Sequence, residues 1–206
     1  KHPATPNEAK GNIGYLVQNY LFSMISSMMH ARLEELRQGA NPPFIQAASG
    51  DSDFLLSKTA EAFVGMAVSK DDGIQTAISA LVREIERARK FGFTASEYAR
   101  AKADYLRSLE SAYNERDKMK NNQYVQEYVR HFIDNEPIPG IEMEYTLMNQ
   151  LAPSIPVEAI NSILPQLIKD ENIVINIFGP DKEGMVYPTE AEILDILKNT
   201  KAEEIT

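Results

Sequence analysis

The chain has 206 residues and a net charge of −9, with 21 Lys plus Arg against 30 Asp plus Glu. That acidic balance argues against a nucleic-acid or anionic-membrane surface, both of which need clustered basic residues. The absence of cysteine removes disulfides, thiolate catalysis and Cys-ligated zinc together, and is compatible with either the cytosol or the periplasm.

The polar, Pro-bearing start Lys1-His2-Pro3-Ala4-Thr5-Pro6 shows no signal-peptide pattern and reads as the edge of a longer chain. Residues 1–10 are therefore expected to be a flexible start, 11–180 a single α+β domain, and 181–206 a linker helix and tail. The uncharged stretch from Gly11 to Met29 is too polar and too soon interrupted by Arg32 and Glu34 to span a membrane.

Apolar residues at helical spacing predict a first helix over about Ile13–Gln38, stopped by Gly39. Two strands follow, Phe44–Ser49 and about Ala62–Ser69, with Gly50-Asp51-Ser52-Asp53 read as a turn between them. A helix with the stripe Ile74, Ala77, Ile78, Leu81, Val82 and Ile85 ends at Gly92. The next opens on Thr94-x-x-Glu97, a capping box in which each side chain satisfies the other's free N–H. Further helices are expected around Tyr124–Phe132, Ile141–Leu151 and Pro156–Ile168. The β-branched run Asn172–Phe178 reads as a central strand, and Pro188-Thr189-Glu190 opens a last short helix. The order is α+β, with helices layered on one face of a small antiparallel or mixed sheet. Three strands are few for so many helices, so one or more further strands are expected outside these residues.

Neither H-E-x-x-H nor H-x-x-E-H is present, nor a G-x-S-x-G elbow or a phosphate loop. Only His2, His30 and His131 are available as imidazole ligands. His30 and Glu34 share a helix face, yet a metal there lacks a further ligand nearby in sequence. The pairs Glu34-Glu35, Asp51/Asp53, Asp71-Asp72 and Glu142/Glu144 fall in turns or on polar faces, where solvation is the expectation. No catalytic residue and no metal ligand is assigned.

Several short motifs resemble a known family. Arg32-Leu33-x-x-Leu36-Arg37 ends the first helix and, with one residue fewer, is similar to the R-L-x-x-x-L-R element of insulinase-type (pitrilysin-like) zinc peptidases. Asn41-Pro42-Pro43-Phe44, Glu84-x-x-Arg87 and Gly92-Phe93-Thr94-x-x-Glu97 running to Ala101-Lys102 resemble that family's second, non-catalytic domain. The resemblance is to the large two-repeat bacterial members and runs from about Gly11 to Leu197, with Gly179-Pro180 near its end.

The resemblance implies that the zinc site lies in a preceding domain, so no cofactor is expected within these residues. The domain would line a chamber around a peptide substrate and pack on the zinc-bearing domain. It also implies peptide contact at strand edges, for which Ala47, Ala48, Ser49, Val64, Gly65 and Met66 are the candidates; ordinary strand pairing is the competing reading. Two alternatives stay open: a structural or assembly subunit of the same fold without peptidase activity, and an unrelated α+β binding domain.

Overall fold

The structure is a computed structural model and describes residues 1–55, 57–181 and 183–205. Lys182 and Thr206, inside the predicted linker and tail, lie outside that description.

Helix α1 (Ile13–Arg37) opens where the Asn12 side chain accepts the Tyr15 N–H, replacing a bond the first turn cannot make for itself. Its length lets one element serve two apolar clusters. Tyr20, Met24, Ile25, Met28 and Met29 are buried in the first, against residues of later helices, and Leu33 is buried in the second with Phe44 and Ala47. Fully burying a side chain such as Phe44 or Leu33 contributes about 1.5–3 kcal/mol.

Strands β1 (His2–Pro3), β2 (Gln46–Asp53) and β3 (Ala60–Val68) form an antiparallel sheet in the order β1-β3-β2. The β2–β3 register runs unbroken from Gln46↔Val68 to Asp53↔Glu61. The predicted turn at Gly50–Asp53 is therefore strand, and the reversal comes after Phe54. The pairing of Asp51 with Phe63 and of Asp53 with Glu61 carries these polar residues into the ladder, overriding their turn preference. At Gly50 a Cβ would sit 2.2 Å from Ser26 Oγ, so glycine is what lets β2 approach α1.

The remaining helices are α2 (Ile74–Phe91), α3 (Ala95–Asn114), α4 (Asn121–Asp134), α5 (Gly140–Leu151), α6 (Val157–Asn161), α7 (Leu164–Leu167) and α8 (Glu190–Ala202). β2 lies along α1, β3 over α2, and α8 packs on α2. α3, α5, α6 and α7 close the first cluster through Tyr98, Leu109, Met148, Ile160 and Leu164. The predicted α+β layout holds.

A further expectation fails. Asn172–Phe178 is not a strand: Ile173, Val174, Ile175 and Phe178 are exposed, and no described residue pairs with them along a ladder. β-branched composition favours a strand only where a partner offers its edge. Here the Lys1 amino group, next to β1, donates to the Asn172 carbonyl at 3.3 Å. Within the start of the chain, His2–Pro3 forms the short strand β1, paired as His2↔Glu61 and Pro3↔Ala60.

Candidate functional site

Five of the residues picked out by motif, Arg32, Gly92, Phe93, Thr94 and Glu97, converge on one place. Arg32, near the end of α1, donates from Nε to Glu97 Oε1 at 2.6 Å and from Nη2 to Glu97 Oε2 at 3.0 Å. The same Nη2 reaches the Gly92 carbonyl at 2.9 Å, and the guanidinium lies over the Phe93 ring at 4.7 Å. Glu97 in turn closes the predicted capping box with Thr94. Burial alone would raise the Glu97 carboxyl, but the Arg32 and Thr94 hydrogen bonds outweigh it and hold the group at about 2. Gly92 has φ +71°, and Asn161 clasps the next residue, accepting from Phe93 N–H at 2.8 Å and donating to Phe93 C=O at 3.0 Å. The structure thus gathers Arg32, Gly92, Phe93, Thr94 and Glu97 into a clamp joining α1, the α2–α3 turn and α6. Leu33 points into the second core cluster with Leu36 packed at its margin, while Arg37 is exposed and pairs with Glu34.

The six candidates for peptide contact lie in the β2–β3 hairpin, where Ala48 opposes Met66 and Ser49 opposes Gly65, while Ala47 opposes Ala67 and Val64 opposes Gly50. Ala47 and Ser49 are buried, whereas Val64 and Met66 face solvent. β1 covers only the first two residues of β3, so among the described residues nothing pairs with the other edge of β3 from Ala62 to Val68. Two strand edges are thus unpaired among the described residues, that of β3 from Ala62 to Val68 and the outer edge of β2.

A second constellation escaped the sequence. His2, Glu61 and Asp51 come from three different strands, and one donor atom from each lies within 4.8 Å of the others. His2 Nε2 is 2.8 Å from Asp51 Oδ1, and its Nδ1 is 3.1 Å from the Pro3 carbonyl and 4.0 Å from Glu61 Oε2. The Asp51 side chain is only 4% exposed. Burial raises both carboxyl groups above their ordinary range; His2 pulls Asp51 back down, while the neighbouring Asp53 adds to the rise in both. The expectation of solvated carboxylates therefore fails at Asp51, and also at Glu144, which burial raises as well. The separation of 49 residues between His2 and Asp51 left no spacing signal to find. His30 and Glu34 make no such cluster, since Glu34 is engaged by Arg37 and Gln38 and His30 is exposed. His131 has its Nδ1 2.6 Å from the Glu136 carbonyl.

No family model matches the chain. Among curated proteins it is similar to a zinc protease PQQL-like protein of Arabidopsis thaliana, 32% identical over 102 residues, which are 50% of this chain and 11% of that protein. Among solved structures it superposes on the periplasmic protease PqqL from Escherichia coli with a TM-score of 0.79 at 18% identity, covering 99% of this chain and 22% of that one. It also superposes on a structure of the first half of PqqL with a TM-score of 0.72 at 16% identity, covering 100% of this chain and 43% of that one. The chain thus spans only a part of each protein it matches. The sequence match and the shared fold together bear out the resemblance, read from Arg32 to Glu97, to the insulinase-type zinc peptidases.

Proposed function

We propose that this chain is a non-catalytic domain of a zinc-dependent endopeptidase, shaping the substrate chamber and packing on a zinc-bearing domain of the same protein. The observation that carries this reading is a fold shared with PqqL in a sequence that contains neither H-x-x-E-H nor H-E-x-x-H. Surface composition supports it. On α4, Val125, Tyr128, Val129, Phe132 and Ile133 form an exposed apolar stripe, with Phe132 90% exposed. A face of that kind is the mark of a docking surface rather than of solvent contact. The open edge of β3, with Val64, Met66 and Val68 exposed beside it, suits an extended peptide that adds itself as a strand.

The chain by itself is expected to hydrolyse no peptide, assayed against a quenched-fluorescence peptide mixture with and without added zinc. Turnover that copurifies with the chain and stops on chelation would overturn the reading. Titration with an extended apolar peptide is expected to shift backbone amides between Ala62 and Val68. Shifts confined to other elements would remove the strand edge from the proposal. A full-length protein that carries this domain and has no peptidase activity would favour a structural or assembly role.

A further inference from the structure

We propose that His2, Asp51 and Glu61 form a binding site for a divalent transition-metal cation of the zinc class, which clasps β1 to the β2–β3 hairpin. The placement follows from register. His2 opposes Glu61 across the β1–β3 ladder, Glu61 opposes Asp53 across β3–β2, and Asp51 lies one pleat along β2 from Asp53. Alternation puts all four side chains on one face of the sheet.

The donor set is chemically apt. One imidazole and two carboxylates, with a further position left for water, suit zinc and its neighbours better than calcium or magnesium, which prefer all-oxygen sites. Bond lengths of 2.0–2.2 Å at a tetrahedral centre separate ligand atoms by about 3.3 Å. The 2.8 Å between His2 Nε2 and Asp51 Oδ1 needs to open by about half an ångström to admit the ion.

Two features distinguish this cluster from a chance meeting of acidic groups. The Pro3 carbonyl lies 3.1 Å from His2 Nδ1, where it accepts an Nδ1–H; in the neutral tautomer that makes this bond, the Nε2 lone pair faces the Asp51 carboxylate. Two acceptors at that distance require a cation between them, either a proton on the ring or a metal. A backbone carbonyl that fixes the far nitrogen is also the usual support of a metal-bound histidine. Second, the negative charge is in excess. Asp51 and Glu61 are mostly buried with Asp53 beside them, and among the described residues the positive groups that act on them are His2 and, for Asp51, the amino terminus of the chain. A proton on one ring neutralises one carboxylate; a divalent ion neutralises both. One pleat further along the same face, the buried Ser49 hydroxyl has no hydrogen-bond partner.

The test is titration of the metal-stripped chain with Co²⁺ and Zn²⁺, followed by calorimetry and by NMR of the three histidine rings. One equivalent is expected to bind and to shift the His2 ring resonances while leaving His30 and His131 in place. Asp51→Asn and Glu61→Gln are expected to weaken binding by at least the roughly 10- to 100-fold that loss of an outer partner alone brings. His30→Ala and His131→Ala should leave it unchanged. Absence of saturable binding overturns the site and leaves a protonated His2 as the bridge. Binding that shifts His30 or His131 instead, or that survives both carboxylate changes, overturns it equally. If a variant fails to fold, the His2 ring in the unaltered chain still decides. Metal uptake without peptide hydrolysis would support this site and leave the proposed non-catalytic role intact.

Discussion

Arg32→Ala is expected to destabilise the fold by about 3 kcal/mol, read as a shift in the urea midpoint at unchanged slope. The size follows from what the substitution strands. Arg32 and Glu97 have side chains 14% and 16% exposed, so neither charge is fully hydrated when its partner goes. Removing the guanidinium leaves Glu97 with Thr94 alone, frees the Gly92 carbonyl and uncovers one face of Phe93. Arg32→Lys should recover only a part, since an ammonium cannot bridge both carboxylate oxygens and a carbonyl in one plane.

The pH dependence gives a second reading of the same clamp. Glu97 titrates at about 2 in the folded chain against an ordinary 4.5. A carboxyl lowered on folding contributes stability that is fully present above the unfolded value and is lost as pH falls toward the folded one. Stability should therefore decline between about pH 5 and pH 2, and Arg32→Ala should flatten that decline. An equally steep acid limb in Arg32→Ala would place the linkage elsewhere. Asp170, also held at about 2 by Lys201 and Arg89, sits at the surface, where screening leaves it a smaller part.

Local signals in the sequence located most of the helices and the Thr94 cap, because the forces involved act over one or two turns, whereas the pairing of Arg32 with Glu97, 65 residues apart, left no local signal. The capping box at Thr94, the stop at Gly92 and the stripe of α2 are each set by neighbours within a few residues. The sheet was harder to read. Gly50–Asp53 has turn composition and becomes strand because β3 supplies an edge in register; Asn172–Phe178 has strand composition and stays unpaired because nothing described offers one. His2, Asp51 and Glu61 meet only through the β1-β3-β2 order, which no local spacing encodes. The six candidates for peptide contact all lie in the β2–β3 hairpin, and how much of the β3 edge is open depends on how far β1 extends, which no local pattern encodes.

Gly92→Ala is expected to cost about 3 kcal/mol, from two separable sources. The backbone there has φ +71° and ψ −157°, a region essentially reserved for glycine, and a side chain held in it costs about 1–3 kcal/mol. A Cβ at this position would also lie 2.5 Å from Asn161 Cγ, so the amide has to move. Moving it breaks the paired bonds to Phe93 N–H and C=O, which together contribute about 1–2 kcal/mol. Asn161→Ala on its own should therefore cost about 1–2 kcal/mol, through those bonds alone. In the double variant the clash is gone and the bonds are lost only once, while the backbone strain remains. Its cost should accordingly fall below the sum of the single changes by about 1 kcal/mol or more. Strict additivity in denaturant unfolding would mean that Gly92 and Asn161 act independently, and the whole cost of Gly92→Ala would then belong to the backbone. A coupling of the expected sign would show that the Asn161 amide holds α6 to the α2–α3 turn through the Phe93 backbone.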